Sequence, residues 1–177
     1  MAKRPAKSAA IHRPASPLIT VDPGSVSCAC LGLDLSIKET GFAVISPLHR
    51  IAGVKTFLPL RHSYPAIWWE VWCWLDALID QYAPGLIVIE KPLFRGPASD
   101  CLMGMSAHAR SAAWKRGVRV VEIAPSTLKK QITGNGRAEK TDVIAAVKAL
   151  GWQPTSDNDA DAIALATIGR KLMEQPQ

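Results

Sequence analysis

The sequence predicts an α/β protein: one mixed five-stranded sheet, three antiparallel strands followed by parallel ones, with helices on both faces. Three observations carry that prediction. Strand-like runs at 29–35, 41–46 and 51–58 follow one another, separated by Lys38-Glu39-Thr40-Gly41 and by Pro47-Leu48-His49-Arg50, the spacing of hairpins. Two later apolar runs alternate with helical segments, which points to crossover connections and parallel pairing. The run Leu86-Ile87-Val88-Ile89 is continuous rather than alternating and is bounded by Gly85 and Glu90, as in a strand covered on both faces.

The remaining elements follow in order. In the segment 65–81, Ile67, Trp68, Val71, Trp72, Trp74, Leu75, Leu78, Ile79 and then Tyr82 fall on one arc of roughly 160°, leaving only Trp69 among the polar residues. A helix is expected over 99–115, a strand over 118–123, short helices near 125–132 and 138–150, and a last helix from Ser156 or Asp157 to about Glu174. Residues 1–26 are different: Pro5, Pro14, Pro17 and Pro23 are set among Ala, Ser and basic residues, with too little apolar material to offset the entropy of ordering. We read them as a disordered basic tail, either a nucleic-acid arm or a plain extension, and 27–177 as a single folded domain. No internal repeat is visible.

Composition limits the partners. The chain has 177 residues, 48% of them apolar, enough to bury one core and too few for two large domains. Its net charge of +6 is matched by the surplus of the segment Arg110 to Lys140 alone, where eight basic residues face two acidic ones; concentrated charge of this kind suits an anionic partner. Four cysteines at 28, 30, 73 and 101 lack the spacing of a zinc site and read as reduced thiols. No secretion signal is visible. The most apolar stretch is broken by Glu70, Asp76 and Asp80, acids too costly for a bilayer. A cytoplasmic protein without membrane contact is expected.

The chemistry lies in acids placed where solvation does not explain them. Asp34 shares a strand face with Gly32, opposite Leu31 and Leu33, and Glu90 ends the second buried run in the same manner. A third group opens the last helix: Ser156-Asp157-Asn158-Asp159-Ala160-Asp161. Asp161 can share a face with Asp157 or Asn158, whereas Asp159 points away and pairs with Ser156 as an acidic capping box. The helix dipole alone offers a structural reason for Asp157. Converging carboxylates repel one another unless hard cations bind, so Mg²⁺ or Mn²⁺ is the natural inference. Two such ions could drive phosphodiester hydrolysis beside the basic segment. Gly134-Asn135-Gly136-Arg137-Ala138-Glu139-Lys140-Thr141 narrowly misses a nucleotide-binding P-loop, because Glu139 stands where a glycine belongs. No nucleotide cofactor is expected. The segment reads either as a helix end plus turn or as a helix start that, with Lys140, holds a DNA phosphate.

Taken in order, Leu31-Gly32-Leu33-Asp34 with Thr40-Gly41-Phe42-Ala43, Ile87-Val88-Ile89-Glu90, the basic stretch Lys129 to Lys140, and Asp161-Ala162-Ile163-Ala164-Leu165-Ala166 resemble the RuvC-type Holliday-junction resolvases of the RNase H-like superfamily. The resemblance covers about residues 30–170, and Ile89-Glu90-Lys91-Pro92 resembles the phage-type branch. It implies an RNase H-like fold and a homodimeric, Mg²⁺-dependent endonuclease with two ions per site. Such an enzyme nicks opposed strands of a four-way junction, leaving 5′-phosphate and 3′-hydroxyl ends. By position it implies Asp34, Glu90 and Asp161 as metal-binding acids and Lys129 and Lys140 as basic residues near the scissile phosphate, Lys140 with a catalytic part; Lys130, Arg137, Phe94 and Arg95 are expected as further DNA contacts. The family commonly carries an acid or His where Asn158 stands, which leaves the fourth ligand open between Asp157 and Asn158. Phe94 reads as a junction wedge or as an ordinary loop anchor. Competing readings are an actin-like or sugar-kinase ATPase, which needs a second lobe, a junction-binding protein that no longer cuts, and a related nuclease acting on flaps or hybrids.

Overall fold

The computed structural model describes residues 29–57, 63–92 and 98–175. The tail assigned to residues 1–26, and Phe94 and Arg95, lie outside the described residues. The strands are β1 (Cys30–Asp34), β2 (Thr40–Ile45), β3 (Arg50–Lys55), β4 (Leu86–Glu90) and β5 (Arg119–Ile123); the helices are α1 (Tyr64–Tyr82), α2 (Ser99–Lys115), α3 (Pro125–Thr133), α4 (Lys140–Ala149) and α5 (Asp157–Glu174).

The strands form one five-stranded sheet in the order β3-β2-β1-β4-β5. β1 pairs antiparallel with β2, and β2 with β3, whereas β4 is parallel to both β1 and β5. The mixed sheet expected from the sequence is therefore observed. β1 and β4 are central and almost wholly buried, which explains why their sequences run apolar without alternation.

The two sheet faces carry different cores. Leu31, Leu33, Val44, Ile87 and Ile89 pack against Ile67, Val71, Leu75 and Ile79 of α1 and Met105 and Ala109 of α2. On the other face Cys30, Ala43, Leu86 and Val88 meet Ala162, Ile163, Ala166 and Ile168 of α5, with Leu128 and Val143 from α3 and α4 completing that layer. Trp69, the residue set among polar neighbours by helical periodicity, is 64% exposed.

α5 lies unusually close to the sheet because β1 and β2 present glycines to it. A Cβ on Gly32 would fall on the carbonyl of Ala162, and one on Gly41 would fall on the carbonyl of Asn158. The missing side chains allow backbone-to-backbone approach, and this brings the first turn of α5 down beside the end of β1. α4 starts at Lys140, two residues later than the sequence suggested, because Glu139 is its N-cap and the carboxylate of Asp142 accepts the Glu139 N–H at 2.8 Å.

Candidate active site

Strand alternation decides which acids meet. On β1, residues 30, 32 and 34 face α5, so Asp34 emerges on the same side as Gly32. On β4 the same side is taken by Leu86 and Val88, and Glu90 follows in phase. Because Leu33 pairs with Ile89, the next step along both strands sets Asp34 beside Glu90. Asp161, one turn into α5, completes the group from above.

The electrostatics record this convergence. Asp34 is pushed up to about 8, first by burial and then by the charges of Glu90, Asp161 and Asp157. Glu90 is pushed up to about 7 by burial and by Asp161, with Lys129 and Lys140 acting in the opposite direction. Asp161 rises to about 6 through burial, opposed by Lys140 and Lys129. Three carboxyl groups held this way favour protonation or a cation. Among the described residues no three His, Cys, Asp or Glu side chains stand arranged to hold a metal ion. The fit to a hard divalent ion therefore rests on the donor chemistry, an all-oxygen set with mutual repulsion that such an ion would relieve.

Asp157 and Asn158 behave differently. Asp157 forms an ion pair and hydrogen bond with Lys140, which holds its carboxyl below the usual range and raises the Lys140 ammonium. The Asn158 carboxamide instead donates from Nδ2 to the backbone carbonyl of Glu39, at 2.7 Å. Asp159 does the structural task foreseen for it. Burial would raise its carboxyl, but N–H and hydroxyl donors of Thr155 and Ser156, at 2.8 to 3.0 Å, outweigh burial and hold it low.

The basic segment divides in two. Arg110 pairs with Glu122, Lys115 with Asp76, and Arg116 with both Asp76 and Asp80, so these residues tie α2 to β5 and α1. Lys129 and Lys140, from α3 and the start of α4, are the cations whose charge reaches the acids. Lys130 and Arg137 are exposed on the same α3–turn–α4 unit. The turn itself is a helix ending followed by a capped helix start: Gly134 closes α3 with φ 83°, and Asn135 Oδ1 accepts the Arg137 N–H at 3.0 Å. With Glu139 and Asp142 at the start of α4, its amino end is already supplied with acid.

Sequence reasoning missed Thr40. It is fully buried, and its hydroxyl donates to the Ser36 carbonyl at 2.9 Å and accepts the Ser36 N–H at 3.2 Å, closing the connection that follows Asp34. A buried Thr at the start of a strand carries little signal beyond β propensity.

Comparison with known proteins agrees with this picture. A family model described as "Crossover junction endodeoxyribonuclease RuvC" matches residues 30–168. The chain is 35% identical over 175 residues to the crossover junction endodeoxyribonuclease RuvC of Rhodopirellula baltica, covering 90% of this chain and 94% of that protein. Its fold is similar to that of Thermus thermophilus RuvC, with a TM-score of 0.69 at 21% identity over 82% of this chain and 95% of the other. It is equally similar, at 0.69 and 19% identity, to T. thermophilus RuvC in complex with Holliday junction substrate, over 82% and 94% of the two chains.

Proposed function

The chain belongs to the RuvC family of crossover junction endodeoxyribonucleases, which are divalent-metal-dependent nucleases, and from that premise we propose how its own residues divide the work. The substrate is branched DNA, a four-way junction cut by paired symmetric nicks that leave 5′-phosphate and 3′-hydroxyl ends. The observation that carries the reading is the meeting of Asp34, Glu90 and Asp161 at one end of the central strands, with Lys129 and Lys140 beside them.

These three acids, with Asp157 or Asn158, would hold two Mg²⁺ ions, for which Mn²⁺ would substitute. Bound there, the ions would supply Lewis-acid stabilisation of the negative charge that develops on the phosphate and leaving oxygens, and would activate the attacking water. The protein's part is positional. β1 and β4 fix two acids on a rigid sheet, α5 fixes the third, and Lys140 and Lys129 neutralise the phosphate that is cut. Lys130 and Arg137 hold flanking phosphates, and Phe94 and Arg95 contact the junction. Two opposed cuts require two sites, so the working unit is a homodimer. The enzyme acts on DNA in the cytoplasm; among the described residues no helix is long and apolar enough to cross a membrane.

The test compares cleavage of a four-way junction, a linear duplex, a flap and an RNA–DNA hybrid, with Mg²⁺ and with a chelator. Symmetric cutting of the junction in preference to the other three, lost on chelation, is expected. Preferential cutting of the flap or the hybrid would reassign the substrate.

A further inference from the structure

We infer that Asn158 is a positioning residue, a latch that fixes the helix bearing Asp157 and Asp161 against the connection that follows Asp34, and that the fourth oxygen of the site comes from Asp157. This rests on the divalent-ion reading above and goes beyond it by giving two neighbouring side chains different tasks.

Three contacts converge on the connection between β1 and β2. The Asn158 Nδ2 donates to the carbonyl of Glu39 at 2.7 Å, joining positions 119 residues apart. The main chain of the same residue rests against Gly41, where a Cβ would strike its carbonyl. At the other end of the connection the buried Thr40 hydroxyl holds both the N–H and the carbonyl of Ser36. The link is thus closed at its base and pinned near its end. Asp34 immediately precedes it, and Asp161 lies one turn beyond Asn158. The hydrogen bond therefore adds a side-chain link between the segment that carries Asp34 and the helix that carries Asp157 and Asp161, on top of the close glycine packing. Asp157 is not used in this way. Its carboxylate is held instead by Lys140, from the first turn of α4.

The bond makes a chemical demand that a ligand role does not. Glu39 offers a carbonyl, so residue 158 must donate; a carboxylate accepts only. An imidazole Nδ1–H stands the same number of bonds from Cβ as the Asn Nδ2 and can replace it. A ligand position instead gains from a carboxylate and also accepts an imidazole, so the carboxylate at 158 is what separates the two roles.

The experiment titrates Mn²⁺ into the DNA-free full chain by calorimetry for wild type, Asn158→Asp, Asn158→Ala, Asn158→His, Asp157→Asn and Asp34→Asn, with circular dichroism and melting of each. The latch predicts that Asn158→Asp and Asn158→Ala both weaken Mn²⁺ binding by roughly tenfold or more, the range for lost outer-shell hydrogen bonds. It predicts that Asn158→His stays close to wild type and that Asp157→Asn loses at least as much as Asn158→Ala. Binding by Asn158→Asp as tight as wild type, or tighter, overturns it. If Asn158→Ala fails to fold, Asn158→Asp decides alone: weakened binding supports the latch, and binding as tight as wild type overturns it. Asp34→Asn separates the two readings. If it leaves Mn²⁺ binding unchanged, the metal site fails and the latch with it. If it abolishes binding while Asn158→Asp strengthens it, the site stands and only the latch falls.

Discussion

At the scale of single residues, the acids of the site work against the fold that carries them. Asp34 and Glu90 are pushed up to about 8 and about 7, chiefly by burial, so without metal the folded chain binds protons more tightly than the unfolded one. Stability from such groups is complete at low pH and is lost as pH rises through the folded values. The metal-free protein should therefore lose stability between about pH 5 and about pH 8. Asp34→Asn removes the largest contribution: it should abolish cleavage, leave junction binding intact because phosphate contacts dominate positioning, and raise stability at about pH 8 by about 1–3 kcal/mol. Mg²⁺ needs the ionised acids, so its stabilisation of the wild type should be larger at the higher pH. Urea unfolding at both pH values, with and without Mg²⁺, measures all three terms. An Asp34→Asn protein that is less stable than wild type at about pH 8 would reject the account. These acids were legible in the sequence because each ends an apolar run where no solvent explains it. The Asn158–Glu39 bond was not, since a contact over 119 residues exists only once α5 has docked on the sheet.

Elements were legible where pattern and punctuation agreed. α2 spans the predicted 99–115, and α5 starts where Ser156 and Asp159 announce a capping box. The start of α4 was misread by two residues because a capping Glu139 looks like helix from its propensity alone. What no local pattern gives is how closely two elements approach. Gly32 and Gly41 look like ordinary strand glycines, yet both stand where α5 backbone occupies the space of a side chain. Two substitutions at exposed and buried backbone positions should consequently have opposite signs. Ala83 ends α1 in the left-handed region at φ 42°, its N–H bonded to the Ile79 carbonyl at 2.8 Å. Ala83→Gly should relieve that strain and add about 0.5–1 kcal/mol. Gly41→Ala should cost roughly 2–4 kcal/mol, because backbone atoms of α5 cannot rotate away as a side chain would. Chemical denaturation of both variants checks the pair; a Gly41→Ala protein of unchanged stability would mean that α5 can lift from the sheet, and the site geometry with it.

For the whole molecule, the question is what turns one site into a paired cut. Two opposed phosphates must be reached in one complex, and a two-fold dimer presents two copies of Asp34, Glu90 and Asp161 with no additional machinery. The surface we propose for such a dimer lies on α2 and β5. On α2, Trp114 is 84% exposed and Met103 38%, and a groove of about 470 Å³ between α2 and β5 is lined by Ala107, Arg110, Ser111, Trp114, Val118 and Val120. A tryptophan so exposed beside a groove of small and branched residues gives an anchor and a place for one, as an isologous interface requires. Arg110 and Glu122 are paired across the same edge at 3.3 Å. Trp114→Ala should therefore shift the protein toward monomer at micromolar concentration while leaving Mn²⁺ binding unchanged. On a cruciform plasmid it should produce nicked circles from single cuts, where the wild type yields linear product from paired ones. Sedimentation with and without a junction, run beside the plasmid assay, decides the matter: a wild-type protein that stays monomeric in both conditions and still makes paired cuts would defeat the dimer.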